Sequence, residues 1–232
     1  STFIYEGSGI NPIVIGPDVE LSEAVLEQVM AARLFNSGQD CAGPDVVCVH
    51  RSRLDEFLER LASALGNTPM GELGDRGARV TKILNRQPLK DVAAQLIALH
   101  PHVVYGGTVD IDSQIVAPTI VVRDLGSIEP FEWFSPVFNI GTYGDLAELR
   151  EWFGRPAYRD YAMYVSLFGE VAFSELFATS TVLQNRTILD VEQGNTAYGG
   201  NGPKANYVVH EDDVRIGPIL ISESLASTRV HH

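Results

Sequence analysis

The apolar positions of the chain alternate between two periods. Ile10 to Gly16 is a short β-branched run bounded by Pro12 and Gly16, and Asp45 to His50 is a second run; both predict buried strands. Between them Val25, Val29, Ala32 and Leu34 or Phe35 share one helical face, with Glu20, Glu23 and Glu27 opposite, which predicts a helix over Leu21–Phe35. Ser22 is placed to cap it and Glu23 suits the positive end of its dipole. Ser52 is placed to cap a helix to about Leu65, with Leu54, Phe57, Leu58, Leu61 and Leu65 inward. Beyond a loop at Gly66–Gly77, helical spacing recurs at about Ala78–Arg86 and Pro88–Leu99. Strands are expected at His102–Tyr105, Ile115–Val122, Val137–Tyr143, Tyr161–Phe168 and Thr187–Leu189. Helices are expected over Leu146–Phe153 and Val171–Ala178, and Val214–Ile221 reads as an extended tail. Strands alternating with helices predict an α/β fold, a mainly parallel sheet with helices on both faces.

Composition adds bounds. The 232 residues are 45% hydrophobic and 20% charged, enough to bury one large domain. A net charge of −13 excludes a nucleic-acid surface, which needs clustered Lys and Arg, and argues against anionic membranes. No apolar run approaches the roughly 20 residues of a membrane span. Cys41 and Cys48 flank Gly43 and Pro44, and no secreted disulfide scaffold or leader is visible, so the expected location is the cytoplasm. His100 and His102 have no Cys, Asp or Glu at ligand spacing, so no metal site is expected.

Candidate chemistry centres on Cys41. It follows a helix end and the turn Ser37-Gly38-Gln39. Backbone N–H groups in the next turn would favour the thiolate, which is the nucleophile, and hold an oxyanion formed on attack. A buried structural cysteine is the competing reading. Cys48 lies mid-strand between valines and reads as core. Glu6 precedes Cys41 by 35 positions, room for a strand, a helix and a return to the same sheet edge. In a partly apolar tunnel such a carboxylate takes a proton from water or thiol; a surface role is the alternative.

Four separated segments then carry a resemblance to the aldehyde dehydrogenase superfamily. Glu6-Gly7-Ser8-Gly9-Ile10-Asn11-Pro12 resembles the family's Glu-Leu-Gly-Gly-Lys-Asn-Pro segment, and Asn36-Ser37-Gly38-Gln39-Asp40-Cys41 resembles its Asn-x-Gly-Gln-x-Cys motif. Glu132-Trp133-Phe134-Ser135-Pro136-Val137 resembles Glu-x-Phe-Gly-Pro-Val, and Tyr198-Gly199-Gly200 resembles Phe-Gly-Gly. The likeness is to the catalytic, nucleophile-bearing domain; no segment matches the family's cofactor domain, and no Gly-x-Gly-x-x-Gly follows a strand. The resemblance implies Cys41 as nucleophile and Glu6 as general base. It implies Glu132 and Phe134 as contacts to NAD or NADP when a cofactor domain is present, and Gln39, Asp40 and Tyr198 as substrate-channel residues. Residues 1–208 are then the catalytic domain and 209–232 an extended oligomerisation tail, with a homodimer as the default. A small aldehyde or acyl group is the expected substrate. Two alternatives stay open: a cofactor-independent thioester hydrolase or acyl transferase, and a degenerate interaction domain.

Overall fold

The computed structural model describes residues 2–170, 177–193 and 196–220. Its centre is a seven-stranded sheet. In spatial order the strands are Thr181–Gln184, Tyr164–Phe168, Pro12–Ile15, Val46–His50, Val137–Tyr143, Thr119–Asp124 and Val103–Tyr105. Neighbours are parallel except the last pair, which is antiparallel.

The pleat sends alternate residues to opposite faces, and both faces are covered. Ile13, Ile15, Val47 and Val49 pack with Val29, Met30, Phe57 and Leu61 from the helices Glu23–Leu34 and Leu54–Gly66. Val14, Val46 and Cys48 pack with Leu149, Trp152, Phe153 and Tyr158 from the helices Leu146–Phe153 and Pro156–Arg159. Each such large side chain contributes about 1.5–3 kcal/mol by leaving water. Ser22 caps the first helix as expected, its Oγ accepting from Val25 N at 3.3 Å.

Several expectations are corrected. Residues 78–85 are not helical; one helix, Arg86–Ala98, begins after them. Val80 and Ile83 are buried there, and the backbone of this stretch is committed to the Cys41 loop. Ile115–Val122 is two strands, Ile115–Val116 and Thr119–Asp124, broken at Pro118, which has no N–H to give a ladder. Thr187–Leu189 is no strand: Ile188–Asp190 is a 3₁₀ turn, closed by Thr187 and Asp190 capping each other. The helix expected over Val171–Ala178 falls largely outside the described residues.

A separate antiparallel sheet joins Thr2–Glu6, Asn206–His210 and Asp213–Ile216. The described part of the expected tail is thus paired within the chain, and Ile219 bridges to Tyr198. Asp213–Ile216 forms the exposed outer edge. Glu6 pairs with Asn206 at the end of this sheet that meets the parallel one.

Candidate active site

The site lies at the amino ends of the central parallel strands. Asn11 directly precedes Pro12–Ile15, the Cys41 turn precedes Val46–His50, Glu132–Ser135 precedes Val137–Tyr143, and Met163 precedes Tyr164–Phe168. This is the opposite end from the carboxyl-end crevice usual in open α/β sheets.

The helix Glu23–Leu34 stops because Asn36, Ser37 and Gly38 all take left-handed backbone, with φ of 48°, 60° and 76°. Two non-glycine residues in that region carry strain, so the surroundings must hold them. Ser37 Oγ accepts from Thr81 N at 2.8 Å and lies 3.1 Å from the Thr81 hydroxyl. Gln39 does not line the cavity described below. Its Oε1 accepts from Leu84 N at 2.8 Å and its Nε2 donates to Lys82 O at 3.3 Å and Asn36 O at 3.2 Å, tying the turn to residues 81–84. Gly38 admits no side chain, since a Cβ would sit 2.3 Å from the Ser135 backbone carbonyl.

Arg33 closes the loop from inside. Its fully buried guanidinium donates to Gly38 O at 2.6 Å and Pro44 O at 2.8 Å, the two ends of the segment carrying Cys41. Asp45 stands 3.8 Å from Arg33 and accepts from Asn11 N at 3.1 Å and Trp133 N at 3.3 Å. Burial pushes the Asp45 carboxyl up to about 8, with Arg33 and the two N–H donors pulling the other way. Asn11 adds a direct tie: its Nδ2 donates to Cys41 O at 2.8 Å and its Oδ1 accepts from Tyr164 N at 3.2 Å.

Cys41 itself is exposed, at the wall of a cavity of about 640 Å³ that Glu6, Asp40 and Tyr198 also line. Leu183, Ile188 and Val191 form its apolar side. Of the expected site residues, the structure therefore gathers Cys41, Glu6, Asp40 and Tyr198. Tyr198 Oη lies 3.0 Å from Cys41 Sγ. Asp40 Oδ1 accepts from Ala42 N at 3.1 Å, shaping the turn after the thiol.

The backbone N–H of Cys41 favours the thiolate, as expected, but other influences outweigh it. Packing against the cavity wall pushes the Cys41 thiol up and the carboxylates of Asp40 and Glu132 add to this. The Tyr198 hydroxyl and the residue's own N–H pull it back only in part.

Glu132 and Phe134 line a second cavity of about 600 Å³, together with Ser8, Pro88, Phe131 and Trp133. Gly9 lies near both Glu132 and the Cys41 backbone. Its N–H donates to Glu132 Oε1 at 3.3 Å, and a Cβ on it would meet Cys41 O at 3.4 Å. Burial raises the Glu132 carboxyl. Aromatic and apolar walls with the carboxylates of Glu132 and Asp91 fit the nicotinamide–ribose end of a dinucleotide, because a carboxylate accepts from more than one hydroxyl. Among the described residues no group of His, Cys, Asp and Glu could hold a metal ion.

The motifs did not single out Arg33, Asp45 or Tyr164. A lone Arg in the last, otherwise apolar turn of a buried helix is the signal that could have marked Arg33. Asp45, at the start of an apolar run, is the corresponding mark for its partner.

A thiol exposed on a turn at the amino ends of a mainly parallel sheet, on a cavity lined by Glu6, Asp40 and Glu192 and near a second lined by Asp91 and Glu132, is the arrangement of an α/β catalytic domain. The aldehyde dehydrogenase family matches residues 1–202, and the chain belongs to it. The chain is 28% identical over 204 residues to aldehyde dehydrogenase family 3 comG of Dictyostelium discoideum, covering 85% of this chain and 42% of that protein. It is 27% identical over 202 residues to the dimeric NADP-preferring aldehyde dehydrogenase of Canis lupus familiaris, covering 85% and 44%. The fold is similar to 1-pyrroline-5-carboxylate dehydrogenase from Thermus with bound NAD, with TM-score 0.70 and 16% identity over 86% of this chain and 40% of that one. The chain thus spans less than half the length of these relatives.

Proposed function

We propose that this chain is the nucleophile-bearing part of an aldehyde dehydrogenase that oxidises a small aldehyde to its carboxylic acid. The observation that carries the reading is the meeting of the Cys41 thiol and the Glu6 carboxyl on one largely apolar cavity. Cys41 gives its proton to Glu6, and its sulfur attacks the aldehyde carbon as the carbonyl π pair moves to oxygen. The Cys41 N–H, which faces the sulfur, is the donor this chain offers to that oxyanion. With NAD or NADP held at Glu132 and Phe134, the cofactor would supply the hydride acceptor that oxidation of the thiohemiacetal to a thioester requires. Glu132 and Phe134 would hold its nicotinamide–ribose end. Glu6, once it has passed the thiol proton to solvent, takes a proton from water; the water oxygen attacks the thioester, the tetrahedral adduct collapses, and Cys41 departs as thiolate.

Asp40 and Tyr198 are channel walls in this reading, and Gln39 positions the turn. We assign residues 1–208 to catalysis and 209–232 to pairing with a second copy in a dimer, in a reducing cytoplasm that keeps Cys41 free.

The test uses the protein carrying both this chain and a cofactor-binding portion. Aldehyde-dependent reduction of NAD+ or NADP+ is expected, and its loss in Cys41→Ala. Undiminished turnover in Cys41→Ala would overturn the assignment.

A further inference from the structure

We propose that the Tyr198 hydroxyl is a catalytic hydrogen-bond donor that holds Cys41 as thiolate. The inference rests on Cys41 being the nucleophile and goes beyond it. Tyr198 Oη is 3.0 Å from Cys41 Sγ, the one side-chain hydrogen bond found for that sulfur among the described residues. The charged and titratable groups around the thiol are otherwise unhelpful. Glu6, Asp40 and Glu192 line the same cavity, Glu132 lies across Gly9, and Tyr164 packs behind Tyr198. Asp40 and Glu132 oppose a second negative charge beside them. The Arg33 guanidinium is committed to Gly38 O and Pro44 O.

Tyr198 is held for this task. Its backbone exchanges two hydrogen bonds with Ile219, at 2.9 and 2.7 Å. Its ring meets Tyr164 edge-on at 5.7 Å, and the next residue, Gly199, donates its N–H to Tyr164 Oη at 2.8 Å. The segment resembles the family's Phe-Gly-Gly, and the hydroxyl is what a Phe there would lack. A phenol in hydrogen bond to a thiolate keeps its own proton, and burial of Tyr198 works in the same direction by pushing its phenol up. No bond to Tyr198 forms or breaks: the thiol proton goes to Glu6, and the Tyr198 O–H only points at the sulfur that remains.

The experiment measures the rate of Cys41 alkylation by iodoacetamide against pH in the 232-residue chain, for wild type and Tyr198→Phe, with the site read by peptide mass. The midpoint of the rate profile is expected to rise by about one pH unit in Tyr198→Phe, so that alkylation is about tenfold slower below the midpoint. A packing role would scale the rate equally at every pH. Profiles with the same midpoint would therefore overturn the proposal while leaving Cys41 as the reactive thiol. Absence of Cys41 alkylation in both proteins would overturn the nucleophile assignment and the proposal together. If Tyr198→Phe does not fold, the reciprocal measurement decides. With ring-labelled tyrosine, the Tyr198 resonance should titrate at lower pH in Cys41→Ala than in wild type, and an unchanged titration overturns the proposal.

Discussion

Cys41 and Cys48 are the same chemical group seven positions apart, in two regions built on different rules. Cys48 sits mid-strand with no exposure, among Val14, Val46, Trp152 and Tyr158, and burial alone pushes its thiol far up. Cys41 sits on a turn with left-handed backbone just before it, clamped by Arg33, Asn11 and Gln39, and faces a cavity. Packing silences one thiol. The other is held by polar ties that restrain its backbone and leave its sulfur accessible. Accessibility here comes from where the backbone is restrained, while the charges of Asp40 and Glu132 oppose ionisation.

The largest expected effect separates the two directly. Cys41→Ala should lower aldehyde oxidation, or acylation of the chain, by about 10³-fold or more, as loss of a covalent nucleophile does. Cys48→Ala should leave that rate unchanged. The next effect tests the clamp. Arg33→Met should cost about 2–4 kcal/mol, read from urea unfolding, because the Gly38 and Pro44 carbonyls are left buried without their donors. If the loss is under about 1 kcal/mol, Arg33 does not hold the loop, since surface pairs are worth that little. Glu6→Gln should slow both the acylation burst and hydrolysis of the acylated chain, by about 10²-fold, because Glu6 accepts the proton in each step; pre-steady-state kinetics would resolve the two. The smallest effect is on the packed thiol. Cys48→Ala should cost about 1–2 kcal/mol of stability, as expected for a small buried group lost from a tight core.

The contrast also marks what the sequence could reveal. The helices over Glu23–Leu34, Leu54–Gly66 and Leu146–Phe153 and the strand Val137–Tyr143 were legible because each carries its period locally. The strands Thr2–Glu6 and Asn206–His210 were not foreseen. Their partners lie about 200 positions apart, and no local pattern records that pairing. Residues 78–85 have helical spacing, yet Thr81 N, Lys82 O and Leu84 N satisfy Ser37 and Gln39 instead of one another. That Cys41 and Glu6 belong together was legible through motifs, and both line one cavity. The Arg33–Asp45 clamp and the Asn11 tie were not, because each is a contact between elements. Gln39 shows the limit of a motif: the position was foreseen, but its side chain braces the turn and does not line the channel.

The most direct test of the thiol's role is intact and peptide mass spectrometry of the folded 232-residue chain after brief exposure to p-nitrophenyl acetate. A nucleophilic Cys41 predicts one acetyl group on Cys41, none on Cys48, and p-nitrophenol released in step with it. Equal acetylation of Cys41 and Cys48, or acetyl found only on lysines, would contradict it.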